Sequence, residues 1–169
     1  MHVYLEYRIP DIYRDFPARM VIFFRRNIHL YIPDFILLIL LIIPPYNWQE
    51  TLYILTGLVI LSLRDVFVMK RITKYLALFK VENYFVEYSI LKYSRVYEQR
   101  RVHISKVNLN LSTRKKPYKL EIYEGEELMH VQYAIGYYSL RKLKEIYSNF
   151  HNLKKELGLG VMFRGATLN

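Results

Sequence analysis

The 169-residue chain has no cysteine. That excludes disulfide bonds, thiolate chemistry and any zinc site built on cysteine. Its six glycines form no phosphate-cradling loop of the Walker or dinucleotide type. Residues 1–20 have no apolar core of a secretory signal, because Glu6, Arg8, Asp11, Arg14, Asp15 and Arg19 interrupt them. The five histidines (His2, His29, His103, His130, His151) lack the spacing of a metal site. Glu124, Glu126 and Glu127 read as a solvated turn. Ser105, Ser112 and Ser139 have no partner pattern for nucleophilic catalysis. The sequence therefore predicts no enzyme, no metal and no cofactor.

Apolar residues make up 53% of the chain, yet the mean hydropathy is only +0.02, so they are concentrated in part of it. The net charge of +10 and pI of about 9.6 favour an anionic partner, either nucleic acid or the inner face of a membrane. Its distribution is informative. Residues 1–33 carry five basic and three acidic side chains, residues 64–169 carry twenty and ten, and residues 44–51 carry only Glu50. Basic flanks around a tip with no positive charge predict an exported tip and cytoplasmic N- and C-termini.

Between the flanks lie two apolar runs, over residues 28–69, joined by Pro44-Pro45-Tyr46-Asn47-Trp48-Gln49-Glu50. They predict a transmembrane helical hairpin with Tyr46 and Trp48 at the far interface. The densest part of the first run, 35–45, is short of the roughly 20 residues a span needs. Pro33 and Asp34 suit a first helical turn. Arg64 and Asp65 interrupt the second run. Asp34, Arg64 and Asp65 are thus candidates for intramembrane helix packing or ion pairing. A buried hairpin in a soluble protein and a re-entrant loop are the competing readings. Before the hairpin, residues 1–27 read as an N-terminal cytoplasmic or interfacial segment, in which Met1 to Ile9 alternates as a strand through Val3, Leu5, Tyr7 and Ile9. An arginine-bearing stretch follows from Ala18, with Arg19, Arg25 and Arg26 placed as an interfacial helix or a topology-fixing flank.

Beyond Lys70-Arg71-Ile72-Thr73-Lys74, residues 75–80 read as a helix extension or a linker. Strands follow over 84–90, 91–97, 102–111 with a bend near Ser105, 118–123 and 128–133, with a glycine turn at Gly125. From Ser139 the period becomes helical through Leu140, Leu143, Ile146, Tyr147, Phe150, Leu153 and Leu157. Arg141, Lys142, Lys144, Lys154 and Lys155 are assigned to the solvent face, and Gly158 is placed as the stop. Residues 159–169, with Gly160 and Gly165, read as a tail.

The fold class predicted is an α+β membrane protein: a helical hairpin, then a small antiparallel sheet or barrel capped by a C-terminal amphipathic helix. The run Tyr84 to Ile104, the Ser105-Lys106-Val107 step, the hairpin around Gly125 and the helix from Ser139 to Leu157 resemble a pleckstrin-homology-like domain over residues 70–158. Bacterial membrane proteins that place such a domain after a two-helix hairpin are similar in layout. That resemblance implies the cytoplasmic (inner) membrane. It also implies a missing strand, which Met1 to Ile9 is expected to supply. Arg100, Arg101, Arg114, Lys115, Lys116 and Lys119 are the candidates for contact with anionic lipid or a partner. The expected role is a subunit or scaffold that binds a membrane-protein partner or further copies of itself, with an anionic-lipid module as the alternative. Nucleic acid is the weaker partner, because aromatic residues interleaved with basic ones equally suit buried strands.

Overall fold

The computed structural model describes residues 4–42, 47–114 and 116–159. Tyr46 of the expected tip, Lys115 and residues 160–169 lie outside them.

The chain opens with strand β1 (Tyr4–Arg8), a 3-10 turn at Asp11–Tyr13 and helix α1 (Phe16–Arg26). A second 3-10 turn, Ile28–Tyr31, leads into α2 (Ile32–Ile42), and α3 follows (Trp48–Thr73). Next come β2 (Lys74–Glu82), β3 (Phe85–Lys92), β4 (Arg95–His103), β5 (Val107–Ser112), β6 (Lys119–Glu124) and β7 (Glu127–Tyr133). The described part closes with α4 (Leu140–Glu156). The strands form two antiparallel sheets, ordered β1-β2-β3-β4 and β5-β6-β7.

β1 pairs with β2, Tyr4 opposite Glu82 and Arg8 opposite Leu78. The first strand is therefore a neighbour of a strand that begins after α3, and all three N-terminal helices lie in the connection between two paired strands. Residues 75–80 belong to β2; they neither extend the helix nor form a linker. The reason is burial on both faces of the strand: Tyr75, Leu76 and Ala77 are buried in succession, and Phe79 and Val81 continue one inaccessible face. The run 91–97 is broken by a turn at Tyr93, which has φ 56°. The bend expected near Ser105 is a 3-10 turn, Ile104–Lys106, that separates the two sheets.

α3 starts on a capping box. The Asn47 side chain accepts from Glu50 N at 2.9 Å, and the Glu50 carboxylate accepts from Asn47 N at 3.3 Å. Its 26 residues reach about 39 Å, more than the roughly 30 Å of a hydrocarbon core. Among the described residues α3 is the one helix long and apolar enough to cross a membrane; Ile28–Ile42 is a shorter apolar segment. Pro33 and Asp34 do fall in the first turn of α2. α2 runs antiparallel along α3: Asp34 meets Arg64, and Leu37 closes on Gly57, where an added Cβ would stand 3.0 Å from a Leu37 methyl.

α4 starts at Ser139, whose hydroxyl accepts from Lys142 N at 3.2 Å. Leu143, Ile146 and Phe150 are fully buried between the sheets, each contributing about 1.5–3 kcal/mol. Lys154 is on the same stripe, eleven residues after Leu143, and only 2% of it is accessible. The solvent face expected for it is thus corrected by helical geometry. Its ammonium is satisfied by Val107 O at 3.0 Å and Asn108 Oδ1 at 3.1 Å.

Candidate functional site

Three groups of polar side chains stand out where the helices meet the sheets. The first joins α2 to α3. Arg64 Nη2 is 2.8 Å from Asp34 Oδ2 and 3.0 Å from Asp65 Oδ1. Its Nη1 donates to Leu30 O at 2.9 Å, and the guanidinium lies over the Tyr31 ring at 5.1 Å. Asp34 sits in the first turn of α2, where the helix dipole favours a carboxylate. Leu30 O belongs to the turn that enters α2, so one guanidinium holds the start of α2 against α3. The three residues singled out in the sequence are adjacent in space, and two carboxylates share one cation.

The second group anchors α1. Arg19, 3% accessible, donates to Tyr13 O at 2.6 Å, to Arg14 O at 3.0 Å and to Tyr93 O. Its guanidinium stacks over Tyr75 at 5.0 Å, and burial lowers its pKa. Asp15 caps α1 through Ala18 N and also accepts from Ser94 Oγ at 2.9 Å. Arg26 donates to Gly136 O at 3.0 Å. Gly136 has φ 65°, and a Cβ there would meet the Tyr75 hydroxyl at 3.0 Å, so glycine is needed. Arg19 therefore points into the protein, where the turn before α1 and the β3–β4 turn offer it carbonyl acceptors, and Arg26, itself exposed, reaches the β7–α4 connection. Arg25 remains exposed.

The third group is the basic candidates. Arg100 is ion-paired with Glu98 at 2.5 Å and Glu124 at 3.3 Å, and Arg101 lies over the Phe85 ring at 5.0 Å. Lys119 pairs with Glu121 at 2.5 Å. Burial pushes the Glu121 carboxyl up, but hydrogen bonds from Lys119, Asn110 and Tyr123 outweigh it and hold the pKa below its ordinary value. Arg114 and Lys116 lie in the β5–β6 connection with Lys115 outside the described residues. Arg100 and Arg101 are on one sheet and Lys119 is on the other, and the Arg100–Glu124 contact bridges the two.

A different basic cluster adjoins the end of α3. Tyr93 N donates to Thr73 O at 2.9 Å, which seats the β3–β4 turn on the last helical residue. Lys74 pairs with Lys92 and Lys92 with Arg95 across the strands. Lys74 Nζ is 5.0 Å and Lys92 Nζ 5.4 Å from the centre of the Tyr97 ring. Tyr93, Val96 and Tyr97 are each more than half exposed. The cluster is hidden in the sequence because 91–97 reads as one strand. The available signal was Tyr93-Ser94, a break between two runs of alternating residues.

A groove of about 360 Å³ lies between β5 and α4, near Leu109, Tyr123, Tyr147 and His151. Lys154 occupies the outward Val107 carbonyl of that edge strand. Among the described residues no group of three His, Asp or Glu side chains is placed to hold a metal ion. No known protein family, curated protein or solved structure matches this chain.

Proposed function

We propose that the protein is a non-enzymatic subunit or scaffold of a complex in the bacterial cytoplasmic membrane. In this reading α2 and α3 form the membrane hairpin, and the two sheets with α4 form a pleckstrin-homology-like module at the inner face. The supporting observation is the surface of the helix pair. Phe35, Ile36, Ile39, Leu55, Val59, Ile60 and Leu63 are all exposed, while only Ile54 and Ile72 of α3 are buried. Among the described residues the Arg64–Asp34 ion pair holds the two helices together, and their apolar faces are left for neighbours. The charge asymmetry and the β1–β2 pairing support the reading that both ends of the hairpin lie on one side. The test is mild-detergent extraction from native membranes, sizing, and identification of co-purifying proteins. A complex larger than a monomer is expected; a lone monomer after gentle extraction overturns the proposal.

The second reading is an anionic-lipid module. It is favoured by Lys74, Lys92 and Arg95 beside exposed Tyr93 and Tyr97 at the end of α3, since near-surface cations each contribute about 1 kcal/mol on anionic lipid. Hydrogen exchange of residues 92–97 in vesicles decides it. Protection that needs anionic lipid and disappears in high salt supports it, and protection independent of lipid charge removes it.

A further inference from the structure

A crevice of about 530 Å³ runs between α1 and the α2–α3 pair. Val21 and Phe24 of α1 form one wall, and Phe35 and Leu38 of α2 the other. Its volume falls within the roughly 300–1,000 Å³ of small-molecule sites. The lining surface is almost wholly apolar, and the charged residues that border it are Arg25 on α1 and Asp34 and Asp65 on the helix pair. Their charges do not cancel locally. Arg64 contacts both carboxylates, which leaves one negative charge on that wall. Arg25 makes no hydrogen bond or ion pair among the described residues, which leaves one positive charge on the other.

We propose that this crevice holds one phospholipid whose headgroup carries both a phosphate and a primary ammonium, as phosphatidylethanolamine does. One of the two acyl chains lies between Phe24 and the Phe35–Leu38 face, the phosphate accepts from Arg25, and the ammonium donates towards Asp65. Each chemical element has its counterpart. An apolar chain suits the apolar walls. A phosphodiester suits an unpaired guanidinium. A primary ammonium has three N–H donors for a surplus carboxylate. A choline headgroup lacks those donors, and a glycerol headgroup lacks the positive charge. The site is separate from the cluster at the end of α3, where the cross-strand neighbours Lys74, Lys92 and Arg95 are all cations. The inference rests on the reading that α2 and α3 lie in a membrane.

The test is native mass spectrometry of the full chain, delipidated in mild detergent. It is titrated in parallel with dioleoyl phosphatidylethanolamine, phosphatidylcholine and phosphatidylglycerol. One retained ethanolamine lipid is expected, bound about fivefold more tightly than either competitor. D65N should reduce that preference to near unity, and R25Q should weaken all three lipids. V21W fills the crevice from α1 without touching the ion cluster, and it should abolish the retained lipid while leaving the circular dichroism unchanged. Equal retention of the three lipids, or an ethanolamine adduct that survives V21W, overturns the proposal. Membrane residence is read separately, by resistance to alkaline carbonate extraction. A chain that stays in the pellet yet shows no lipid preference refutes the crevice site alone; a chain that washes off refutes the membrane reading with it.

Discussion

Arg64 Nη2 stands 2.8 Å from Asp34 Oδ2, joining two helices through residues thirty positions apart in the chain. Replacing Arg64 by leucine leaves Asp34 and Asp65 together without a cation. Breaking a fully buried pair costs about 3–5 kcal/mol. Here the side chains are 33% and 20% accessible, so a loss of about 2 kcal/mol is expected once solvent screening is allowed for. The double variant R64L/D34L should regain part of that loss. Equilibrium unfolding in micelles measures both, and a double variant no more stable than R64L would argue against coupling.

Arg19 serves three carbonyls from one planar fork. Lysine keeps the charge but not the fork. R19K should cost about 2 kcal/mol through unmet buried acceptors. It should also speed hydrogen exchange in α1 and trypsin cleavage at Arg25 and Arg26. Unchanged exchange in α1 would show that the helix is held by its apolar face alone.

Burial of His130 in β7, with Lys74 nearby, lowers its pKa from 6.5 to about 4. The native state then binds fewer protons than the unfolded chain between those values. Stability should be complete above about pH 6.5 and fall as the pH drops towards 4, by on the order of 3 kcal/mol. Denaturant midpoints at pH 7 and pH 5 for the native chain and for H130L test this; the variant should show a shallower slope. Parallel slopes would assign the pH dependence to other groups.

Tyr7 is buried in β1, and its hydroxyl accepts from Asn149 Nδ2 of α4 at 2.7 Å. Y7A should cost about 3 kcal/mol. Deletion of residues 1–9 should expose the β2 edge and cause aggregation. A truncated chain that stays monodisperse in detergent, with native circular dichroism, would show that β1 is dispensable.

Much of the fold was legible because period and burial agree. The 3.6-residue stripe of α4 and the two-residue alternation of β6 and β7 each face one core, so local pattern and tertiary structure coincide. β2 was not legible. Both its faces are covered over Tyr75, Leu76 and Ala77, and a strand buried on both sides loses its alternation. Lys154 was misassigned for a related reason: side-chain chemistry spoke for solvent, while helical position put it on the core. Of the site residues, Asp34, Arg64 and Asp65 could be found because charges are rare in apolar runs. Arg100 and Lys119 have acids beside them in the chain, Glu98 and Glu121, but the contact of Arg100 with Glu124 exists only in the folded sheets.

The pairing of β1 with β2 sets an order on biosynthesis. The ribosome delivers Tyr4–Arg8 first, and the register partners Leu78–Glu82 emerge only after α1, α2 and α3. At about 5–20 residues per second that interval lasts several seconds or more. Throughout it the first strand has no sheet to join. The edge of the four-stranded sheet therefore closes only once the helix pair has been made and has turned back, and a chain stalled before β2 carries β1 without its register partner.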